Sequence, residues 1–454
     1  MRKMEPDHDL CQIADAESPD RSLDDRRRRN RQFVSNLISL YALQGLNYAV
    51  PLAVLPYLVR ALGIERYGLL AFAQSFAQYF SLLTDYGFNF SATRSIALQR
   101  DDKEAVSRIF CSVFCIKLLL MCIGALVLSA VVISIPRFHQ NAAFFFMAYL
   151  AVIGNVLFPV WYFQGVEKMK HISALVGCAR LVGAIALFAF VHRPQDALLA
   201  LAIQSLALVA GGVAGLWVVV HRFHVSLLRP AASDIRLAFR DGLHLFISTA
   251  AISLYTNTNV FLVGILSGNL EAGYFSAAEK LVRAAAQGML TPITQAVFPY
   301  MSHLVAQSRE MALRLAARTL RWMSLISLVA SILIFGFAGP IVGICFGRAA
   351  GAGVAVLRWI ALLPFLIAIS NVLGIQTLIP FGLDKQLSRV LLAAGLFHLA
   401  LAVPLIHFFG APGAGASVLC TESLIAVSMV FVLERHHLHI FHLIERPARK
   451  QLFS

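Results

Sequence analysis

The stretch Gly273-Tyr274-Phe275-Ser276-Ala277-Ala278-Glu279-Lys280-Leu281-Val282-Arg283-Ala284-Ala285-Ala286-Gln287 opens an apolar run that continues to Pro299. The run is long enough to cross a bilayer as a helix, yet it holds three full charges. Glu279 and Arg283 are spaced i, i+4 and share one helix face. Ser276 and Gln287 extend that face by a turn in each direction. A charge at mid-membrane costs roughly 2.5–3.5 kcal/mol on insertion scales, so such residues face a bundle interior or a watery cavity. The residues leave two readings open: an internal Glu–Arg pair that fixes helix packing, or the charged lining of a transport cavity.

Composition sets the class around this run. Of 454 residues, 59% are hydrophobic and 14% charged, and the mean hydropathy is +0.73. Soluble domains carry about 25% charged residues. Backbone polar groups in lipid must be satisfied within the segment, so the expected fold is an all-α polytopic membrane protein. Long apolar runs without alternation exclude a β-barrel. The seven cysteines include no CxxC pair, and no zinc or disulfide spacing appears,. Cys111, Cys115 and Cys122 read as small packing residues along one helix face.

Residues 1–32 are polar, with eight Lys/Arg and eight Asp/Glu. They read as a disordered cytoplasmic tail. The apolar run that follows is too long for the core of a signal peptide. About twelve transmembrane helices are expected, near 33–59, 68–91, 109–135, 141–163, 171–191, 197–220, 241–266, 273–300, 322–346, 354–379, 387–409 and 412–433. With the amino terminus inside, 28 of the 38 Lys and Arg fall on the cytoplasmic side, five on outer loops (Arg60, Arg66, Arg137, Arg193 and Arg348) and five within spans. By the positive-inside rule both termini are cytoplasmic. This distribution accounts for the formal net charge of +14 without any role for nucleic acid.

The chain repeats itself weakly. Leu62-Gly63-Ile64-Glu65-Arg66-Tyr67-Gly68 returns about 205 residues later as Ser267-Gly268-Asn269-Leu270-Glu271-Ala272-Gly273. Gly165-Val166-Glu167-Lys168 returns 217 residues later as Gly382-Leu383-Asp384-Lys385. Two six-span halves, 33–220 and 241–433, are therefore expected, joined by a basic linker at 221–240 and followed by a basic tail at 434–454. Substrate sites in such transporters lie at the interface of the repeats.

The charges within the spans are Lys117, Arg180, Lys280, Arg283 and Arg358 against Asp85, Glu279 and Glu422. Lys117 lies about two turns from the cytoplasmic face and Arg358 near the outer face, so both have a snorkelling alternative. Arg180, Arg283 and Glu422 are too central for that. The 205-residue offset sets Gln74 and Gln78 against Glu279 and Arg283, and Asn47 adds polarity to the first span. An excess of buried cations suits an anionic substrate, above all a phosphate or diphosphate. P-loop, HExxH and GxSxG motifs are absent,.

Several stretches resemble Wzx-type O-antigen and polysaccharide flippases. They are Tyr41-Ala42-Leu43-Gln44-Gly45-Leu46-Asn47-Tyr48, Leu55-Pro56-Tyr57-Leu58-Val59-Arg60, Tyr67-Gly68-Leu69-Leu70-Ala71-Phe72-Ala73-Gln74, Leu83-Thr84-Asp85-Tyr86-Gly87-Phe88-Asn89 and Trp161-Tyr162-Phe163-Gln164-Gly165. The resemblance spans roughly residues 33–430, and the long polar tail departs from it. It implies two six-helix bundles around a central cavity that opens to alternate sides. It also implies transfer of an undecaprenyl-diphosphate-linked oligosaccharide across a bacterial inner membrane by a transporter rather than an enzyme.

On this reading Arg283, Lys280, Arg180, Lys117, Gln74, Gln78 and Asn47 bind substrate, while Asp85, Glu279 and Glu422 gate or couple. No metal or cofactor is expected, and a proton or sodium gradient is the candidate drive. The expected partners are the lipid-linked oligosaccharide, membrane lipid and the polysaccharide polymerase machinery. Two other classes remain in view. A cation-coupled multidrug exporter would favour a cavity of net negative charge. A membrane glycosyltransferase or ligase would need a catalytic cluster in an outer loop, and those loops are short.

Overall fold

Gly63 and Gly268 stand 205 residues apart and adopt the same rare backbone, with φ 76°, ψ 155° and φ 96°, ψ 176°. That region is essentially closed to residues with a Cβ. Each glycine ends one helix and starts the next, so the two stretches that echo each other in sequence share one kind of turn. The computed structural model describes residues 49–226, 228–347 and 350–440. The tail at 1–32, Asn47, Arg348 and the end of the carboxyl tail lie outside the described residues.

The described chain is helical, with no strand among the described residues. The first half comprises α1 (Ala49–Leu62), α2 (Ile64–Asp85), α3 (Phe88–Leu98), α4 (Lys103–Ser134), α5 (Pro136–His139), α6 (Ala142–Leu157), α7 (Val160–Gly165), α8 (Met169–Phe190) and α9 (Ala197–Trp217). The second half comprises α10 (Ala232–Thr256), α11 (Thr258–Ser267), α12 (Asn269–Gln307), α13 (Arg309–Gly336), α14 (Ala338–Phe346), α15 (Ala350–Ile360), α16 (Leu363–Leu373) and α17 (Asp384–Arg435). Among the described residues, seven helical stretches are long and apolar enough to span a bilayer. One of them, α17, is 52 residues long, roughly 78 Å at 1.5 Å per residue, and Gly410 breaks it with φ 61°, ψ −137°. Its two legs match the expected spans 387–409 and 412–433.

Local chemistry sets the other breaks. The expected span 68–91 is interrupted at Tyr86 and Gly87, both left-handed, so Asp85 closes α2 instead of lying mid-helix. Pro159 separates α6 from α7, because its ring cannot continue the preceding helix. The linker expected at 221–240 is helical from Ala232 onward. Of the three aligned cysteines, Cys111 alone is buried; Cys115 and Cys122 are exposed. The three stay within about 40° of one another around α4, so what differs is the packing beside each along the helix.

Helices α2 and α12 cross at their amino-terminal ends with almost no space between backbones. A Cβ on Gly68 would stand 1.8 Å from the Asn269 carbonyl oxygen, and one on Gly273 would stand 2.2 Å from that of Ile64. Gly68 and Gly273 are 205 residues apart, as are Ile64 and Asn269, so each helix brings the equivalent glycine and the equivalent carbonyl to the crossing. Small residues permit this approach, and packing rather than hydrophobic burial holds helices together in lipid. Beside the crossing, Phe72 and Phe76 of α2 stack on Phe261 of α11 at 5.7 and 5.4 Å between ring centres.

Candidate functional site

A cavity of about 480 Å³ is walled by α1, α2, α6, α8 and α9. Most of its wall is apolar, including Val54, Leu58, Val176, Leu187 and Leu208. Its polar groups are Gln74, Asn155, Arg180, Gln204 and Ser205, joined by Lys280 reaching in from α12. The Gln74 amide donates to the Gln204 amide oxygen at 3.2 Å, and Gln204 donates to the Ala200 carbonyl at 3.1 Å. Asn155 donates to the Ser81 hydroxyl at 3.2 Å. These bonds fix the amides against the wall. The Lys280 ammonium donates to the Tyr67 hydroxyl at 3.1 Å and lies 5.3 Å from that ring's centre, a cation–π geometry.

Successive residues on an α-helix turn by about 100°. Glu279 and Arg283 therefore point about 100° and 60° to one side of Lys280, and their partners differ from those of the ammonium. Arg283 Nε donates to Glu279 Oε1 at 2.9 Å, and its Nη2 donates to the Thr256 carbonyl at 3.2 Å. The two side chains are 25% and 11% exposed. Glu422, from the second leg of α17, accepts from the Ser370 hydroxyl at 3.1 Å and lies within electrostatic reach of Arg283 and Tyr255. Close by, the wholly buried His398 bridges the Thr421 hydroxyl and the Asn259 amide oxygen, both at 2.9 Å. A low-dielectric interior makes such a network strong when complete and costly when broken.

Lys117 and Asp85 make a third cluster. The ammonium donates to Asp85 Oδ1 at 3.0 Å, with the lysine side chain 2% and the aspartate 37% exposed. Lys117 does not snorkel; it ties α4 to the end of α2.

The residues grouped in the sequence around one anion thus separate. Arg180, Lys280 and Gln74 share the first cavity. Arg283, Glu279 and Glu422 belong to the second half, and Lys117 and Asp85 pair elsewhere. Gln78 is exposed one turn along α2 and does not line the cavity. The sequence reading missed Tyr67, Asn155, Gln204 and His398. Each of the last three is an isolated polar residue in an apolar span, the same signal that singled out Arg180.

In the first cavity two cations, three amides and a serine hydroxyl look out from an apolar wall. This equips it to hold an anion with attached hydroxyls, with no nucleophile–base pair among them.

Comparison with known proteins agrees with this architecture. The family described as "Polysaccharide biosynthesis protein" matches residues 33–305. A protein of Escherichia coli (strain K12) named "Putative O-antigen transporter" is 37% identical over 403 residues, covering 89% of this chain and 97% of its own length. A protein of the same name from Shigella dysenteriae is 34% identical over 396 residues, covering 87% and 98%. Among solved structures, an inward-facing multidrug resistance MATE family transporter of the MOP superfamily superposes with a TM-score of 0.67 at 13% identity, covering 89% of this chain and 96% of that one. The lipid II flippase MurJ in an inward closed conformation gives 0.64 at 11% identity, covering 91% and 93%. Both likenesses concern the fold. With an all-helical polytopic architecture and a match over more than half its length, the chain belongs to the polysaccharide biosynthesis protein family.

Proposed function

We propose that this protein is a flippase that carries undecaprenyl-diphosphate-linked oligosaccharide repeat units across the bacterial inner membrane by alternating access. The observation that carries this reading is the pairing of Arg180 with Lys280 in one largely apolar cavity beside Gln74, Asn155 and Gln204. Two cations in the lining of one cavity suit a diphosphate, since charge-assisted bonds to phosphate oxygens are the strong ones. The amides suit sugar hydroxyls, and the polyprenyl chain stays in lipid. The names of the two relatives support a transporter rather than an enzyme.

In this reading the halves 33–220 and 241–433 move as two bodies and both termini are cytoplasmic. The flipped product passes to polysaccharide polymerase machinery. A proton or sodium gradient drives the cycle through Glu279 and Glu422, with Asp85 as a further carboxylate. Arg283 and Lys117 hold these carboxylates when no substrate is present.

The test is complementation of a bacterium lacking its own O-antigen flippase, supplied with a matching sugar donor and scored by surface polysaccharide. Rescue by the wild type and failure of a well-inserted Arg180→Ala, Lys280→Ala double variant is the expected result. Rescue by both would remove this cavity from the substrate path. Drug resistance in place of polysaccharide rescue would favour the multidrug exporter, whose superfamily shares the fold.

A further inference from the structure

Arg137 is the one Asp, Glu, Lys or Arg between Lys117 and Glu167. It lies on α5, the short turn between α4 and α6, and is among the five cations assigned to outer loops where basic residues are scarce. Its guanidinium crosses to the other half. Nη1 donates to the Ile265 carbonyl at 2.6 Å, and Nη2 donates to the Gly264 carbonyl. Both carbonyls sit in the last turn of α11, where the backbone has run out of helical N–H donors and the helix dipole is negative. Gly268 then turns the chain away with its φ of 96°. The same guanidinium lies 5.8 Å from the centre of the Phe72 ring, which stacks on Phe261 of α11.

From this geometry we infer that Arg137 is a positioning residue of the transport cycle: it latches the outer end of the two halves by capping α11. The inference rests on the proposed function and its topology. The latch closes beside the Gly68–Gly273 crossing. That crossing offers shape but no directional bond, because its contacts are backbone against backbone. Phe72 and Phe261 add apolar contact that slides as readily as it holds. The forked bond supplies direction, joining a first-half side chain to two adjacent carbonyls of the second half. A planar guanidinium reaches both at once, whereas an ammonium is a single point charge. Nothing else is needed for release: once the halves part, water replaces the fork at both carbonyls. Arg137 touches no part of the substrate cavity, so its effect passes through the position of α11 and the closure of α2 on α12.

The experiment reads gate opening without any sugar. In a chain whose seven cysteines are replaced, Gln74→Cys places a thiol in the cavity below the crossing. A membrane-impermeant maleimide is applied to right-side-out spheroplasts and, separately, to inverted vesicles. With Arg137 intact, labelling from the outer side is slow. Arg137→Ala and Arg137→Lys are expected to raise the outer-side rate by about tenfold or more, the scale of losing a charge-assisted bond. A rise from the cytoplasmic side alone would overturn the topology while leaving a latch at that end. Unchanged rates on both sides in both variants would overturn the latch. A Phe163→Cys control, fully buried in the intact chain, stays unlabelled in a folded variant. If Arg137→Ala exposes it, the Arg137→Lys result decides, because that variant keeps the charge and most of the packing.

Discussion

Lys280 and Arg283 stand one turn apart on α12 and serve different halves of the molecule. The ammonium meets Tyr67 of α2 at the edge of the first cavity, while the guanidinium, about 60° around the helix, is held by Glu279 and the Thr256 carbonyl. One helix therefore presents a cavity-lining cation and an ion-paired one.

Arg180→Ala and Lys280→Ala are each expected to lower translocation by about 10- to 100-fold, the loss of one charge-assisted bond worth roughly 1.5–3 kcal/mol. Quantified surface polysaccharide in the complemented strain, normalised to protein in the membrane, checks this. Tyr67→Phe keeps the ring beneath Lys280 and removes the hydroxyl, so its loss is expected to be smaller than that of Lys280→Ala.

Arg283 is expected to act first on stability. Arg283→Ala leaves Glu279 and Glu422 without their cation, and breaking a buried pair from one side costs about 3–5 kcal/mol. Glu279→Gln combined with Arg283→Gln removes both charges and is expected to unfold at a higher temperature than Arg283→Ala alone. Thermal unfolding in detergent reads the difference.

Asp85→Asn is expected to destabilise the chain more than Lys117→Met. The first change strands an ammonium that is 2% exposed; the second leaves an aspartate that is 37% exposed and open to water. The same melting assay tests the order, and the reverse order would place Asp85 in a functional role separate from this pair.

Gly63→Ala and Gly268→Ala are expected to cost about 1–3 kcal/mol each, from backbone strain at their shared conformation. The two costs are expected to match, since a Cβ at either position meets no atom within 4 Å. Gly68→Val and Gly273→Val differ in kind: their side chains run into a facing backbone, so they are expected to block closure of α2 on α12. Outer-side labelling of Gln74→Cys distinguishes the two classes.

Hydropathy made the helical class legible, and the charges within spans marked α12 before any geometry was known. The 205-residue echo was legible because both copies need glycine at the same backbone turn. The separation of Arg283 from Lys280 was not: three residues leave the two side chains only about 60° apart around the helix, and it is their partners, Tyr67 for one and Glu279 with the Thr256 carbonyl for the other, that set them apart. The break after Asp85 was missed for a local reason: Tyr86 adopts the left-handed region at φ 41°, which its residue type does not signal. Gln204 and Asn155 carry no charge, and a lone amide in an apolar span gives a fainter signal than an arginine.

Lys280 is carried by the second half yet completes a cavity built by the first. A site divided in this way ceases to exist as a unit when its carriers separate. On the proposed reading, an anion held there would keep Arg180 and lose the ammonium, and its hold would weaken through the movement that exposes it. Discharge of the cargo would need no separate trigger: the grip and the swing are one coordinate, and the sharing of two cations between two bodies sets how far along it the cargo stays bound.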